Sequence, residues 1–454
     1  MANQSFQSIP LSIMSLSVLR STASRRALSS ARHASSLAEE LPYLPALHAS
    51  PLASEIAVGA TGKGLGVASA SPAHCTVATL GVTFNTGARF ESDKNAGISL
   101  LASKLAFRST DARSDLALFR DIEAIGGSIS SSVGRDYVNL SISVTPEHID
   151  EAAAILAESV LAARCAEWDV STQKAKAEVD IELLRSNAAD LLSEGIHAAA
   201  FYDNRTLGRT VFSKNVSALK AKDVRAFYDA NVNAANMVLV GRGINQSALN
   251  DIANTHFSGV VAGDRTKPAA AHYVGGEHRV AAASPVSYVA LGFSAGALNT
   301  QEKSAAHVLE HVLKGRIAGA SSAFRAVYAD ASLLGLSGVA RPDDASALVA
   351  SFLKEFQAVA SSPLSAAELE AAKKSSGLCY SSFVDTKNGA LTQLARSAFA
   401  QSAITEASTH AALHAVSVKD VQTLAAKLVA SKPSLASVGD LTHVPRYDDI
   451  LKKL

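Results

Sequence analysis

The sequence is poor in cysteine and in net charge, and each shortage excludes a class of protein. Only three cysteines occur among 454 residues, at the distant positions Cys75, Cys165 and Cys379. An odd number so widely spaced predicts free thiols in a reducing compartment rather than a disulfide framework. The formal net charge is only +1, so no bulk electrostatic field draws the chain to nucleic acid or to anionic lipid.

Long hydrophobic runs are also missing. No uncharged apolar stretch reaches the ~18 residues that a membrane-spanning helix requires. The overall balance, 48% hydrophobic and 18% charged residues, is that of a globular protein. The sequence therefore predicts no transmembrane segment, and we expect any contact with a membrane to be indirect, through other proteins.

Acidic residues are absent from the start of the chain. Residues 1–38 contain no aspartate or glutamate, but many serines and alanines and four arginines, Arg20, Arg25, Arg26 and Arg32. A basic, serine-rich and acid-free composition is typical of an organelle transit peptide, and the alternative is a disordered basic tail. The apolar stretch 11–19 precedes the first arginine, whereas a secretory signal carries its charge before its apolar core. We predict that residues 1–33 form a transit peptide.

The remainder of the chain repeats one order of predicted elements, and this internal repeat is its most informative pattern. Each half opens with a predicted strand that is followed by a predicted helix. In the first half the strand spans 80–90 and the helix lies within 96–110, and in the second half the strand lies within 289–299. A predicted helix beginning at Phe119 then corresponds to one beginning at Phe324, and each leads into a strand. Each half continues with an acid-led helix and a long helical stretch, and closes with a short helix and a strand.

Strands followed by helix pairs, twice over, predict an α+β fold of two homologous domains, each a mainly antiparallel sheet with helices packed on one face. The predicted first domain spans residues 45–258 and the predicted second domain spans residues 273–454. Residues 259–272 between them are rich in glycine, proline and alanine and are predicted to be a linker.

The helix within 96–110 resembles the zinc-site helix of the pitrilysin-type (M16) metallopeptidases, the family of the mitochondrial processing peptidase and of the core proteins of cytochrome bc1. In the family pattern H-x-x-E-H, two histidines on one helix face bind Zn²⁺ and the glutamate acts as general base. The matching positions here are Leu100, Ser103 and Lys104. Leucine offers no lone pair, serine is no base near neutral pH, and lysine is a cation that repels Zn²⁺.

The resemblance extends over nearly the whole chain past residue 45. Its most specific stretches are 119–127, 196–209 and 273–277. It places Glu182 at the position of the family's downstream glutamate ligand, but a lone carboxylate does not hold zinc. We interpret Glu182 as a surface acid near Arg185. The resemblance thus implies a first domain with no catalytic residue, no metal and no other cofactor.

A literal H-x-x-E-H occurs in the second half, at His307, Glu310 and His311. One interpretation is a zinc site moved to this half, with Asp385 or Cys379 as the candidate third ligand. The other is an ordinary amphipathic helix, with the three side chains on a solvated face and an i,i+4 ion pair between Glu310 and Lys314. We favour the second interpretation, and so predict no metal there.

The family contains two kinds of non-catalytic member, the α-type processing subunit and the bc1 core proteins. The α-type subunit carries a long glycine-rich loop, whereas the matching residues 313–324 contain only two glycines. This departure favours a subunit like core protein 2 of cytochrome bc1, with a structural and assembly role. We expect such a subunit on the matrix side of the mitochondrial inner membrane.

This interpretation implies specific partners. They are core protein 1 or a β-type processing-peptidase homologue, together with cytochrome b, cytochrome c1 and the Rieske protein, and no nucleic acid. The first alternative is an α-type processing subunit that binds presequences and stimulates a β-type partner. The second is an active zinc peptidase using His307, Glu310 and His311, which predicts stoichiometric zinc.

Overall fold

The structure is a computed structural model, and the part of the chain that it describes begins after the predicted transit peptide 1–33. The described residues are 55–71, 75–201, 206–317, 319–362 and 364–454. All three cysteines lie within these ranges, and each carries a free thiol, as predicted.

The first half contains a six-stranded mixed sheet. Its strands are β1 Glu55–Ala60, β2 Gly66–Ser71, β3 Ala78–Phe84, β4 Ser128–Val133, β5 Val138–Val144 and β6 Met237–Arg242. They lie in the order β1-β2-β6-β3-β5-β4, and every neighbouring pair is antiparallel except β2 and β6. β5 alternates buried apolar with small or polar residues, the period-two pattern of a strand that covers a core.

The second half contains a five-stranded mixed sheet. Its strands are β7 Gly276–Ala281, β8 Ser287–Phe293, β9 Ser321–Val327, β10 Ser332–Ala340 and β11 Ser434–Gly439. The order is β7-β11-β8-β10-β9, and only β7 and β11 run parallel. This sheet matches β2-β6-β3-β5-β4 of the first in order and direction, so the internal repeat read from the sequence corresponds to a repeated topology.

Helices fill the rest of both halves. The first half contains α1 Ile98–Leu105, α2 Asp115–Ala124, α3 Ile149–Leu161, α4 Glu167–Ser186, α5 Ala188–Ala200, α6 Ala221–Asn231 and α7 Gln246–His256. The second half contains α8 Thr300–Arg316, α9 Ala345–Ser361, α10 Ala366–Asp385, α11 Lys387–Ala400, α12 Glu406–His414, α13 Val418–Val429 and α14 Tyr447–Leu451. The predicted α+β class with two homologous units is confirmed.

One predicted element is wrong. The helix expected from Phe324 is the edge strand β9, which pairs antiparallel with β10 over its whole length. The expectation came from the first half, where α2 precedes β4, but the second half passes from α8 to its edge strand without that helix. Three further strands, β1, β2 and β7, were not anticipated. The glycine-rich residues 61–65 form the turn that joins β1 to β2.

One face of each sheet is covered by helices from the same half, as predicted. On the first sheet α3 and α7 pack against apolar side chains of β3, β5 and β6. On the second sheet α9 and α13 cover the same relative face, and their contacts include the ring of Phe356 against that of Phe293, with centroids 4.9 Å apart. These two layers form the two largest apolar cores.

The other face of each sheet is covered by a helix from the opposite half. α5, from the first half, packs on β7, β8 and β11 of the second sheet. α11, from the second half, packs on β2 and β6 of the first sheet. Gly195 permits this close approach of α5, because a Cβ there would lie 2.8 Å from the His278 ring. The reciprocal exchange explains why β3 and β11 are buried along their entire length.

The predicted linker 259–272 is bound to both halves. It contains one isolated β-bridge, at Val261, and its backbone is held by hydrogen bonds such as Thr266 N–H to the Asn236 side chain (3.0 Å). The buried Arg89 guanidinium donates to the Ala269 carbonyl at 3.1 Å and forms ion pairs with Asp136 and Asp330. A single cation therefore joins the first half, the linker and the second half. The domain boundaries at 258 and 273 stay predictions.

His197 on α5 is a second polar contact across the halves. Its Nδ1 donates to the Ser193 carbonyl at 2.8 Å, and its Nε2 accepts from the Tyr328 hydroxyl at 2.8 Å. Burial, assisted by the nearby Arg135 charge, lowers the pKa of His197 to about 3. The imidazole is therefore neutral in the folded protein at all moderately acidic pH values.

The helix exchange predicts that a cavity in α11 weakens the first half as well as the second. Leu394 is 1% exposed against the first sheet, so Leu394→Ala should lower the free energy of unfolding by about 2–5 kcal/mol. Hydrogen exchange in β2 and β6 should accelerate at the same time. Leu116→Ala, at a leucine that is 81% exposed, is the control and should change the free energy by less than about 0.5 kcal/mol. Equal effects in the two variants would contradict the packing of α11 on the first sheet.

The buried His197 predicts an acid-sensitive stability. The unfolded histidine takes up a proton near its ordinary pKa, whereas the folded one does not until about pH 3. Its contribution is therefore complete above pH ~6.5 and is lost as the pH falls below that value, by up to about 1.4 kcal/mol per pH unit. In urea titrations, the stability difference between wild type and His197→Gln should narrow from pH 7 to pH 5. Leu116→Ala, which changes no titratable group, is the control and should show no such narrowing. A difference for His197→Gln that is independent of pH would refute the assignment.

Candidate functional site

The candidate site of the first half is the short helix α1, whose start is fixed by a buried carboxylate. Glu91 accepts the backbone N–H groups of Gly97 and Ser99 at 2.7 and 2.9 Å, which satisfies donors that an N-terminus leaves free. Burial raises the pKa of Glu91 to about 7. Gly97 has φ +88°, and a Cβ there would lie 2.4 Å from Val216. Helix α1 is thus held in one position against its surroundings.

Two of the three H-x-x-E-H positions on α1 contribute to packing. Leu100 is 2% exposed and belongs to a small apolar cluster with Ala177, Ile181 and Val216. The Ser103 hydroxyl donates to the Leu100 carbonyl at 2.7 Å, within the same helix. Leu100 offers no lone pair, and the hydroxyl proton of Ser103 is already engaged by the backbone.

The third position forms an ion pair. The Lys104 ammonium contacts the carboxylate of Asp180 on α4. Glu182, which the resemblance places at the downstream ligand position, is 71% exposed and pairs with Arg185 at 2.9 Å, so its interpretation as a surface acid near Arg185 is confirmed. The acid that faces α1 is therefore Asp180. The buried residues of α4, which include Ala177 and Ile181, give the signal that the sequence analysis missed, because Asp180 shares their helix face and Glu182 does not.

In the second half, α8 differs from the solvated amphipathic helix that we predicted. His307 and His311 are only 9% and 8% exposed, because α10 and α12 pack over this face of α8. The Glu310 carboxylate accepts from the Arg325 guanidinium on β9 at 2.9 Å, so its ion pair is with Arg325 and not with Lys314. The interpretation of the two histidines as solvent-facing is wrong, since helices that follow much later in the chain cover them.

The burial of these imidazoles leaves them uncharged. Burial lowers the pKa of His307 to about 3, and the Arg325 charge contributes to this shift. The pKa of His311 is also lowered, by burial and then by the Lys314 and Arg325 charges. Each ring therefore keeps a nitrogen lone pair at neutral pH, as a metal ligand must.

The structure brings one of the two candidate third ligands to the pair of histidines. One nitrogen of His307, one nitrogen of His311 and the thiol sulfur of Cys379 all lie within 4.8 Å of one another. Asp385 instead is the last residue of α10, where its carbonyl accepts from Arg242 at 3.0 Å. His307, His311 and Cys379 thus form the metal-compatible cluster found among the described residues.

No helix in the described ranges is both long enough and apolar enough to cross a bilayer.

Comparison with known proteins gives two family matches and several long relatives. Residues 66–214 match "Insulinase (Peptidase family M16)" and residues 218–376 match "Peptidase M16 inactive domain". Mitochondrial-processing peptidase subunit alpha of Solanum tuberosum is 26% identical over 423 residues, which cover 86% of this chain and 82% of the relative. Cytochrome b-c1 complex subunit 2 of Mus musculus is 25% identical over 402 residues, covering 83% and 88%. Mitochondrial-processing peptidase subunit beta of Lentinula edodes is 30% identical over 204 residues, covering 43% and 42%.

The placement of Asp180 against α1 predicts a measurable coupling to Lys104. Both side chains are about one-third exposed, so a double-mutant cycle of Lys104→Ala and Asp180→Ala should give a coupling of about 0.2–1 kcal/mol. The coupling should shrink at high salt. The matched cycle of Lys104→Ala with Glu182→Ala should give no coupling. Coupling to Glu182 instead of Asp180 would contradict the placement of Asp180 against α1.

Proposed function

Because the chain belongs to the M16 peptidase family, we propose that it is a non-catalytic M16 subunit, like core protein 2 of the mitochondrial cytochrome bc1 complex. It would lie on the matrix side of the inner membrane and act through its interfaces, in assembly of the complex. The observation that carries the proposal is the Lys104–Asp180 ion pair, because the resemblance assigns position 104 to a zinc ligand of active family members and an ammonium group cannot bind zinc.

The first-half site supports a role without hydrolysis. Zinc hydrolases need at least three protein ligands and a base close to a bound water. At the positions concerned the chain has an apolar side chain packed in a cluster, a hydroxyl bonded to its own helix and a cation. None of Leu100, Ser103 and Lys104 supplies a ligand or a base, and Asp180 is engaged by the lysine.

The link after α8 favours the core-protein interpretation over the α-type processing subunit. Helix α8 continues to Arg316, and the strand β9 begins at Ser321. Only residues 317–320 remain between them, too few for the long glycine-rich loop expected of an α-type subunit. The strongest argument for the α-type alternative is the Solanum tuberosum relative, which is as similar to this chain as the mouse bc1 subunit is.

An exposed apolar face supports the role of a subunit. Trp168, Val179 and Leu183 are all exposed on α4, and the 3.6-residue period places them within about 60° of one another around the helix. Large apolar side chains grouped on one exposed face are typical of protein–protein contacts. A homologous M16 partner, of the core 1 or β type, is the occupant that we propose for this face.

The proposal predicts the complex in which the chain is found. Purified through a tag from mitochondria in mild detergent, the full chain should carry an M16 partner together with cytochromes b and c1 and the Rieske protein. Loss of the chain should lower quinol–cytochrome c reductase activity because assembly fails. Recovery as a heterodimer without cytochromes, which cleaves presequences, would replace this proposal with the α-type processing subunit.

A pair of variants tests the interface within the same experiment. Leu183→Lys puts a charge on the exposed face of α4 and should reduce the recovered M16 partner several-fold without lowering the free energy of unfolding. Leu116→Lys places the same charge at another exposed leucine, on α2, and should leave recovery unchanged. Unchanged recovery for both variants would exclude the α4 face as the contact.

A further inference from the structure

We propose that His307, His311 and Cys379 form a Zn²⁺-binding site in the second half of the chain. Two imidazoles and one thiolate are ligands that zinc prefers, and three protein ligands leave a fourth tetrahedral position for water. The site is separate from the degenerate first-half positions and does not depend on the proposed subunit role.

The spacing of the donor atoms fits a site that closes on an ion. In a tetrahedral zinc site with Zn–N and Zn–S bonds of about 2.0–2.3 Å, neighbouring ligand atoms lie about 3.3–3.6 Å apart. The three donor atoms here lie within 4.8 Å of one another. Side-chain rotations that move each atom by about 1 Å or less would reach the tetrahedral spacing without moving α8 or α10.

The surroundings of the site orient its ligands. Nδ1 of His311 lies 2.9 Å from the Ser375 hydroxyl, which leaves Nε2 as the ligand atom, and a hydrogen bond to the other ring nitrogen is the usual support of a metal-bound histidine. The two histidines are one helical turn apart on α8, with ring centroids separated by 5.6 Å. Cys379 is exposed, so the buried imidazoles can be reached by an ion from solvent.

The internal repeat gives an independent argument for the third ligand. α4 and α10 are both 20-residue helices, and each packs on the helix that carries the H-x-x-E-H positions of its half. Asp180 is the fourteenth residue of α4 and Cys379 is the fourteenth residue of α10. Corresponding positions of α4 and α10 therefore face the neighbouring helix of their own half. Asp180 meets a lysine of α1, and Cys379 meets two histidines of α8.

The glutamate of the motif is engaged elsewhere, which makes the site one for binding. The Glu310 carboxylate pairs with the Arg325 guanidinium at 2.9 Å. This pair offsets the charge of Arg325, one of the two cations, with Lys314, that act on the histidines. It also engages the carboxylate that would serve as the base for a metal-bound water. We therefore assign the zinc to holding α8 and α10 together.

Metal binding by the full chain tests the site. After dialysis against chelator, calorimetric titration should give one Zn²⁺ per chain, and zinc should raise the melting temperature. Titration with Co²⁺ should produce a thiolate-to-metal charge-transfer band in the near ultraviolet. In Cys379→Ser this band should disappear and the affinity for zinc should fall by at least about tenfold. Because Cys379 is exposed, this variant should fold.

Two controls keep the outcome specific. Cys75→Ser removes a thiol from the loop before β3 and should change neither the stoichiometry nor the band. Asp180→Asn tests the first half and should also leave zinc binding intact. Absence of stoichiometric zinc, or zinc binding that survives Cys379→Ser unchanged, would overturn the site while leaving the proposed subunit role standing. Recovery of the chain without cytochromes would overturn the proposed subunit role while leaving the zinc site standing.

Discussion

The structure depends most on the reciprocal packing of α5 and α11, because each sheet has two apolar faces and its own half covers only one. The second face of the first sheet is buried by α11, and that of the second sheet by α5. Arg89 and His197 add polar contacts across the same boundary. Neither half alone can therefore bury both apolar faces of its sheet, so each half needs the other in order to stay folded. This constraint acts on burial and not on chemistry, so it holds the fold together whichever side chains occupy the candidate sites.

The first-half positions that the resemblance assigns to the histidine ligands make ordinary stabilising contacts. Leu100 adds apolar area to a buried cluster, and the charge of Lys104 is balanced by Asp180. The ammonium group of Lys104 is positively charged, as Zn²⁺ is. Its attraction to the Asp180 carboxylate therefore holds α1 against α4 without a metal. In the second half, the equivalent pair of helices keeps imidazoles and a thiol. The two halves thus offer two solutions to one problem, the joining of corresponding helices.

Much of the fold followed from periodicity, since strands such as β5 alternate and the element order recurs. The resemblance placed Leu100, Ser103 and Lys104 on one helix, and they share α1; their assignment to the family's zinc site stays a prediction. The interpretation of Glu182 as a surface acid near Arg185 is confirmed. Sequence reasoning failed where distant segments decide the environment. The burial of His307 and His311 depends on α10 and α12, and the pairing of Lys104 with Asp180 depends on which face of α4 meets α1. The exchange of α5 and α11 between sheets leaves no local signal, because an amphipathic helix does not specify which sheet it covers. The β9 strand was missed because analogy with the first half was preferred to the local pattern.

The central claim, that this M16 chain lacks peptidase chemistry, is tested most directly by its own turnover. The chain without residues 1–33, the predicted transit peptide, would be supplied with zinc and incubated with a fluorogenic presequence peptide in the absence of any other subunit. We predict a cleavage rate no greater than in buffer alone, because Leu100, Ser103 and Lys104 offer neither a ligand nor a base and the Glu310 carboxylate is paired with Arg325. Cleavage that requires zinc and disappears in Glu310→Gln would contradict it.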